Sequence, residues 1–197
     1  MTSPVTARDR AKAERSDAIL RAAAHLFAER GYNGVSLEDI GTAVGVSGPA
    51  VYRHFAGKQA LLGAVLVQVS EDLVTGGTDV ADAAVVDDAR MRALIAFHVQ
   101  FALGHADVIR VHDQEVAHLA EDDRAAVRRL QRAYIELWIR TLEPLVDAAP
   151  EELRLRVQAC FGLINSTPHS TRAAVRQDPA TAIVLIAMAE AALRAAI

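Results

Sequence analysis

The chain is short of several things at once. Among its 197 residues it has one cysteine, Cys160, two lysines, Lys12 and Lys58, and only 5% aromatics. A single cysteine excludes an intramolecular disulfide, a thiolate zinc site and an iron–sulfur cluster. It suits a reducing compartment, so the cytoplasm is the expected location. Long apolar runs are also missing. The longest, Leu61 to Val67 and Ile183 to Ala189, fall far below the roughly 18 residues of a membrane span. No apolar stretch follows the first arginines, so no secretory leader is expected. Strand-like alternation never lasts, and neither an internal repeat nor a low-complexity tract is present.

What remains is a globular, alanine-rich composition with 52% hydrophobic and 23% charged residues. The net charge of −4 hides a split. Residues 1–60 carry eight Lys/Arg against six Asp/Glu, and the rest carry thirteen against nineteen. Arg8, Arg10, Lys12 and Arg15 open the chain almost unopposed. Attraction to phosphate acts through such local patches, so a nucleic-acid partner stays open. The division expected is 1–60 and 61–197.

The periodicity predicts helix nearly throughout. The first runs from about Arg8 to Arg30, with Ile19, Leu20, Ala23, Leu26 and Phe27 as its apolar stripe, and Gly31 ends it. Ser36 opens a short second helix with Asp39 as a capping-box partner. Gly45 stops it. Ser47 caps a third short helix bearing Val51, Tyr52 and Phe55, with Pro49 in its first turn. Longer helices are predicted at about 58–74, 88–103, 105–119, 122–147, 151–166 and 178–196. Thr75 to Asp87, containing Gly76 and Gly77, reads as a loop.

Two short helices joined by a tight glycine turn make a helix-turn-helix. The residues around it carry more than that outline: Phe27-Ala-Glu-Arg-Gly31-Tyr, then Ile40-x-x-x-x-Gly45-Val-Ser47, then Val51-Tyr52-x-His54-Phe55-x-x-Lys58. From about Ala18 to Leu62 the sequence resembles the DNA-binding domain of the TetR family of bacterial transcriptional regulators. The resemblance implies that Tyr52 and Lys58 contact phosphates. It also places Ser36 and Ser47 where hydroxyls or adjacent amides meet the backbone. Gly48, Ala50 and Arg53 sit where base contacts are expected, and Arg53 is suited to guanine O6 and N7. His54 serves either as a packing residue or as a phosphate contact. Gly48-Pro49 departs from commoner family sequences, which put larger polar residues there.

Beyond this motif the family diverges, and the residues must speak for themselves. On the 88–103 helix, Met91, Leu94, Ile95, His98 and Phe101 share one arc. On the 105–119 helix, Val108, His112, Glu115, Val116 and Leu119 do. His98, His112 and Glu115 thus fall on apolar faces, where a carboxylate is costly unless paired. Three readings are open: an internal hydrogen-bond network, a polar handle for a ligand, or a metal site with these three as ligands. Phe97, Phe101, Tyr134, Trp138 and Phe161 are further lining candidates. The last helix, Ile183 to Ile197, is apolar almost all round. With the arc Leu153, Val157, Cys160, Phe161 and Ile164, it suggests a four-helix interface between two copies. Dimerisation through the last two helices is also what the resemblance implies.

The expectation is an all-α chain, with a three-helix DNA-binding domain and a larger helical domain for effector binding and dimerisation. The function expected is a homodimeric repressor on a double-stranded, pseudopalindromic operator, released by a small apolar effector. No cofactor, membrane partner or catalytic residue is expected. Val111-His-Asp-Gln-Glu115 looks like a stretch from regulators of lipid or acyl-CoA catabolism; an antibiotic-like efflux substrate is the other effector class. The rival functions are a small helical metal-dependent enzyme using His98, His112 and Glu115, and an interaction module without an inducer.

Overall fold

The computed structural model describes residues 6–196, and these contain helices and turns with no strand. Ile197, counted above with the last helix, lies outside them. The helices are α1 (Ala7–Arg30), α2 (Leu37–Ala43), α3 (Gly48–Tyr52), α4 (Lys58–Asp82), α5 (Asp87–Gly104), α6 (Ala106–Glu115), α7 (Glu121–Leu142), α8 (Pro150–Asn165), α9 (Thr167–Ser170), α10 (Ala173–Arg176) and α11 (Pro179–Leu193). Short 3-10 turns follow α6 and α7, at Val116–His118 and Glu143–Leu145.

Local chemistry sets the first boundaries. Thr6 and Asp9 form a capping box at α1, and Ser36 and Asp39 form one at α2. Gly31 and Gly45 adopt φ of 71° and 70°, which an L side chain resists, and so end α1 and turn the chain from α2 into α3. Gly41 is needed for another reason: a Cβ there would stand 2.8 Å from the Val46 carbonyl, so the turn closes only over glycine.

The N-terminal core gathers Ile19, Ala23, Phe27, Ile40, Val51, Leu61, Leu62 and Leu66. It continues into α4 and takes in Val111 of α6, Leu119, and Val127 of α7. A second core joins α5, α7, α8 and α11 around Met91, Leu94, Ile95, Trp138, Leu142, Val157, Cys160 and Ile164. Burial pushes the Cys160 thiol up to about 12, so it packs as an inert apolar group.

The predicted loop at Thr75 to Asp87 is mostly helix. α4 continues to Asp82, and only residues 83–86 connect it to α5. The glycines that suggested a loop are there for helix packing. Gly63, Ser70 and Gly77 recur every seven residues on the buried side of α4. A Cβ on Gly77 would meet Tyr134 at 2.7 Å and Leu94 at 3.2 Å, and one on Gly76 would meet Phe97 at 2.6 Å. Small residues let α5 and α7 approach, and this outweighs glycine's poor helix propensity. By length and composition alone α4 could cross a membrane; here it packs against α1, α5 and α7. The short helices α9 and α10 went unpredicted, because four residues show no period.

The predicted apolar arc of the eighth helix faces inward. Leu153, Val157, Cys160 and Ile164 are buried within the protomer, and the exposed apolar residue there is Leu155. On α11, Leu185, Ala189 and Leu193 are buried while Ile183, Val184 and Met188 stay exposed.

The packing account predicts opposite responses from two glycines. Gly77→Ala should lower stability by about 1–3 kcal/mol through overpacking, despite alanine's higher propensity. Gly104→Ala, with open space around its Cβ, should stay within about 0.5 kcal/mol. Urea denaturation of both variants checks this; equal effects would contradict it.

Candidate functional site

The first face is built on α1 and α3. An open groove is lined by Arg8, Lys12, Arg15, Ala50, Arg53 and His54, with Asp9 at its edge. The basic N-terminus noted in the sequence is therefore brought beside the third helix. Tyr52 is 55% exposed, Arg53 and Ser47 are exposed, and Ala50 and His54 are half-buried. Ser47 has no side-chain capping bond, which leaves its hydroxyl free. Gly48 is turned inward: it is buried, and a Cβ would meet the Glu38 side chain at 3.0 Å. Its position packs α3 on α2. The Ser36 hydroxyl is engaged too, donating to Asp39 Oδ2 at 2.6 Å and accepting from Asp39 N–H at 3.1 Å.

Lys58, expected to contact phosphate, is turned toward the chain itself in the absence of DNA. Its ammonium donates to the carbonyls of Tyr32 and Val35, both at 2.8 Å, and lies 4.4 Å from the centre of the Tyr32 ring. It braces the turn between α1 and α2. The carbonyls left free where the chain leaves α1 need donors, and Lys58 is the cation within reach.

Glu115, at the end of α6, explains its own burial at the same turn. One oxygen accepts the Tyr32 N–H at 2.9 Å, and the other stands 3.0 Å from His118 Nδ1. The His118 ring stacks on Tyr32 at 4.7 Å, and Gln59 donates to the His118 carbonyl at 3.0 Å. A second tie joins α1 to α6, where His25 Nδ1 lies 3.0 Å from Asp107 Oδ2. The hydrogen bond to Asp107 raises the His25 pKa, helped by Glu29 and opposed by partial burial and by Arg30.

The other side of α6 borders a cavity of about 250 Å³. Val108, Ile109, His112 and Asp113 come from α6, and His98 and Phe101 from α5. Leu130, Gln131, Tyr134 and Ile135 come from α7, Phe161 and Asn165 from α8, and Val69, Ser70 and Leu73 from α4. Of the eight residues the sequence nominated, His98, Phe101, His112, Tyr134 and Phe161 line it. Phe97 packs over Gly76, Trp138 is fully buried behind the wall, and Glu115 points to the α1–α2 turn. Helical period could not separate these roles, because core and cavity share one face. Asn165 and Gln131 went unnominated; nothing in their local sequence marks them.

His98, Glu115 and His112 do not converge, so the metal-site reading and the enzyme built on it lose their ligand set. Among the described residues no three His, Cys, Asp or Glu side chains are gathered as a metal ion requires. His112 Nε2 instead meets the Gln131 side chain at 2.6 Å. His98 packs against Phe161, Trp138 and Tyr134, and its Nδ1 lies 3.3 Å from the Tyr134 hydroxyl. Burial drives its pKa down to about 4, which the Asn165 amide only partly opposes. Burial likewise raises the Tyr134 pKa.

Comparison with known proteins agrees with this architecture. Residues 19–65 match the family described as bacterial regulatory proteins, tetR family, and residues 86–169 match a tetracyclin repressor-like C-terminal domain. The chain belongs to the TetR family of transcriptional regulators. It is 26% identical over 168 residues to the HTH-type transcriptional repressor KstR2 of Rhodococcus jostii, covering 85% of this chain and 82% of that one. Two solved structures share the fold. One is the TetR family regulator PfmR from Thermus thermophilus, with TM-score 0.77, 22% identity and coverage of 98% and 99%. The other is the ketosteroid transcriptional regulator KstR2 of Mycobacterium tuberculosis, with TM-score 0.74, 19% identity and coverage of 91% and 92%.

The buried His98 makes the fold sensitive to acid. Its folded pKa lies below the unfolded value near 6.5, so between about pH 6.5 and 4 the unfolded chain binds more protons, and stability falls as pH falls. From pH 6.5 to 4.5 the loss from this group should be about 2–3 kcal/mol. Urea denaturation of wild type and His98→Gln across that range checks it. The variant should lack this part of the acid loss, and identical pH profiles would contradict the assignment.

Proposed function

We propose that this chain is a homodimeric, effector-responsive repressor that binds a pseudopalindromic DNA operator in the cytoplasm. The observation that carries the reading is the position of α6. Its C-terminal end is bonded to the turn that holds the reading helices, while its flank forms a wall of the cavity. A small apolar molecule in that cavity meets α6 directly. It shifts DNA affinity only if it binds the DNA-competent and released geometries unequally. The similarity to curated repressors supports the sign of regulation.

On DNA, α3 is the recognition helix. Arg53 is the base-reading side chain, and Tyr52 and Ser47 meet phosphates. Ala50 offers an apolar contact, and His54 borders the same groove. Arg8, Lys12 and Arg15 extend the phosphate footprint, while Lys58 and Ser36 hold the turn and the cap that position α3. The partner copy docks on the side of α11 that carries Ile183, Val184 and Met188, which are 69%, 54% and 50% exposed. Two copies place two recognition helices on two half-sites.

The test is operator binding on genomic fragments selected by the purified protein. A footprint should show two half-sites about one helical turn, or a multiple of it, apart. Arg53→Ala should relax one base position per half-site, costing about 1–3 kcal/mol there. The Arg8/Lys12/Arg15 triple alanine variant should weaken binding to all sequences. It should also flatten the salt dependence by about one unit of slope for each phosphate no longer neutralised. An unchanged isotherm and salt slope in both variants would overturn the reading.

A further inference from the structure

The chemistry of the cavity wall restricts what enters it. Most of the wall is apolar or aromatic, with Leu73, Phe101, Ile109, Leu130, Tyr134 and Phe161 prominent in it. No lysine or arginine is among the residues that line it. The nearby Arg110 is turned away, donating twice to the Pro168 carbonyl at 2.6 and 3.1 Å. The one carboxylate in the lining, Asp113, has its oxygens 2.9 Å from His169 Nε2 and 3.4 Å from His112 Nδ1. A charged group drawn into this space would lose its hydration: an anion would find no lysine or arginine and would face Asp113, and a cation would find a carboxylate whose two oxygens already face His169 and His112.

The buried polar groups of the wall point the same way. His98 is 3% exposed; its Nε2 and Asn165 Oδ1 form no hydrogen bond of ordinary geometry among the described residues, although the Asn165 side chain stands close enough to the ring to oppose the fall in its pKa. Assigning the Tyr134 hydroxyl as the donor to Nδ1 puts the ring proton on Nε2, which is then a donor. The wall therefore holds an unmet donor and an unmet acceptor beside the Phe101, Tyr134 and Phe161 rings. Buried polar groups normally have partners. A single uncharged oxygen supplies what is missing: a carbonyl accepts from His98, and a hydroxyl also donates to Asn165.

We infer that the effector site selects an uncharged, largely apolar molecule bearing one carbonyl or hydroxyl oxygen, seated against the aromatic rings with that oxygen toward His98 and Asn165. The same wall disfavours free carboxylic acids. The inference rests on the proposed effector role of the cavity, but its test does not need DNA.

The probes are five molecules on one skeleton: ethylbenzene, acetophenone, 1-phenylethanol, benzoic acid and 1-phenylethylamine. Their dissociation constants are measured by NMR titration of the full chain near neutral pH. Acetophenone and 1-phenylethanol should bind about tenfold or more tightly than benzoic acid and 1-phenylethylamine. Asn165→Leu should weaken 1-phenylethanol by about tenfold, or ~1.4 kcal/mol, and leave ethylbenzene unchanged. Benzoic acid or the amine binding as well as the ketone and alcohol would overturn the inference. So would an Asn165→Leu variant with no selective loss, or failure of all five to bind. Operator binding without any probe, measured on the same preparation, reports separately on the regulator reading. Its failure leaves the ligand preference standing, and the reverse also holds.

Discussion

One of the ties between the two halves of this protein is a buried carboxylate, and it reaches the turn that leads into the helix-turn-helix. Glu115 sits at the last turn of α6, 6% exposed, and accepts the backbone N–H of Tyr32 at 2.9 Å. A charge placed there must be held by hydrogen bonds, because water no longer reaches it. One holding group, the Tyr32 N–H, belongs to the turn between α1 and α2, and the other, His118, to the turn that follows α6. Tyr32 is gripped on its other side by Lys58, which also fixes the Val35 carbonyl just before the Ser36 cap. The turn that leads into the reading helices thus shares bonds with the anchor of α6, while their packing rests on Ile40 and Val51 in the N-terminal core.

α6 is short, and its two surfaces have different duties. Val111 joins the N-terminal core, whereas Ile109 packs in the effector-domain core. A ten-residue helix split between two cores cannot shift on one side without straining the other. Interiors packed this tightly respond by moving between discrete arrangements. The aromatic floor of His98, Tyr134, Trp138 and Phe161 gives α6 a firm surface to be pushed from.

Much of this was legible in the sequence, for identifiable reasons. The helix-turn-helix is written in capping boxes, glycine stops and a dense set of spacings, so α1 to α3 begin close to where they were expected, although Ser47 makes no side-chain capping bond and α3 ends at Tyr52, short of Phe55. Local signals served less well where tertiary packing decides. Gly76 and Gly77 read as a loop because propensity alone cannot see that Tyr134 and Phe97 demand bare backbone. The spacing of Lys58 says nothing of the Tyr32 and Val35 carbonyls to which its ammonium donates. Glu115 stood out correctly as a charge needing a partner. That partner was a backbone amide 83 residues earlier, and no pattern within one helix could reveal it. Five of the eight nominated lining residues border the cavity, since amphipathic period finds the inward side but does not divide core from pocket.

The central claim is that the cavity and the reading helices are coupled through Glu115. A double-mutant cycle tests it most directly, with operator affinity as the readout. Leu130→Phe pushes a ring into the cavity and stands in for an effector, and Glu115→Gln removes the charge that strengthens the bond to Tyr32. Leu130→Phe should weaken operator binding in the wild-type background and have a much smaller effect beside Glu115→Gln, with a coupling energy above about 0.5 kcal/mol. Additive effects, with Leu130→Phe equally costly in both backgrounds, would contradict the account.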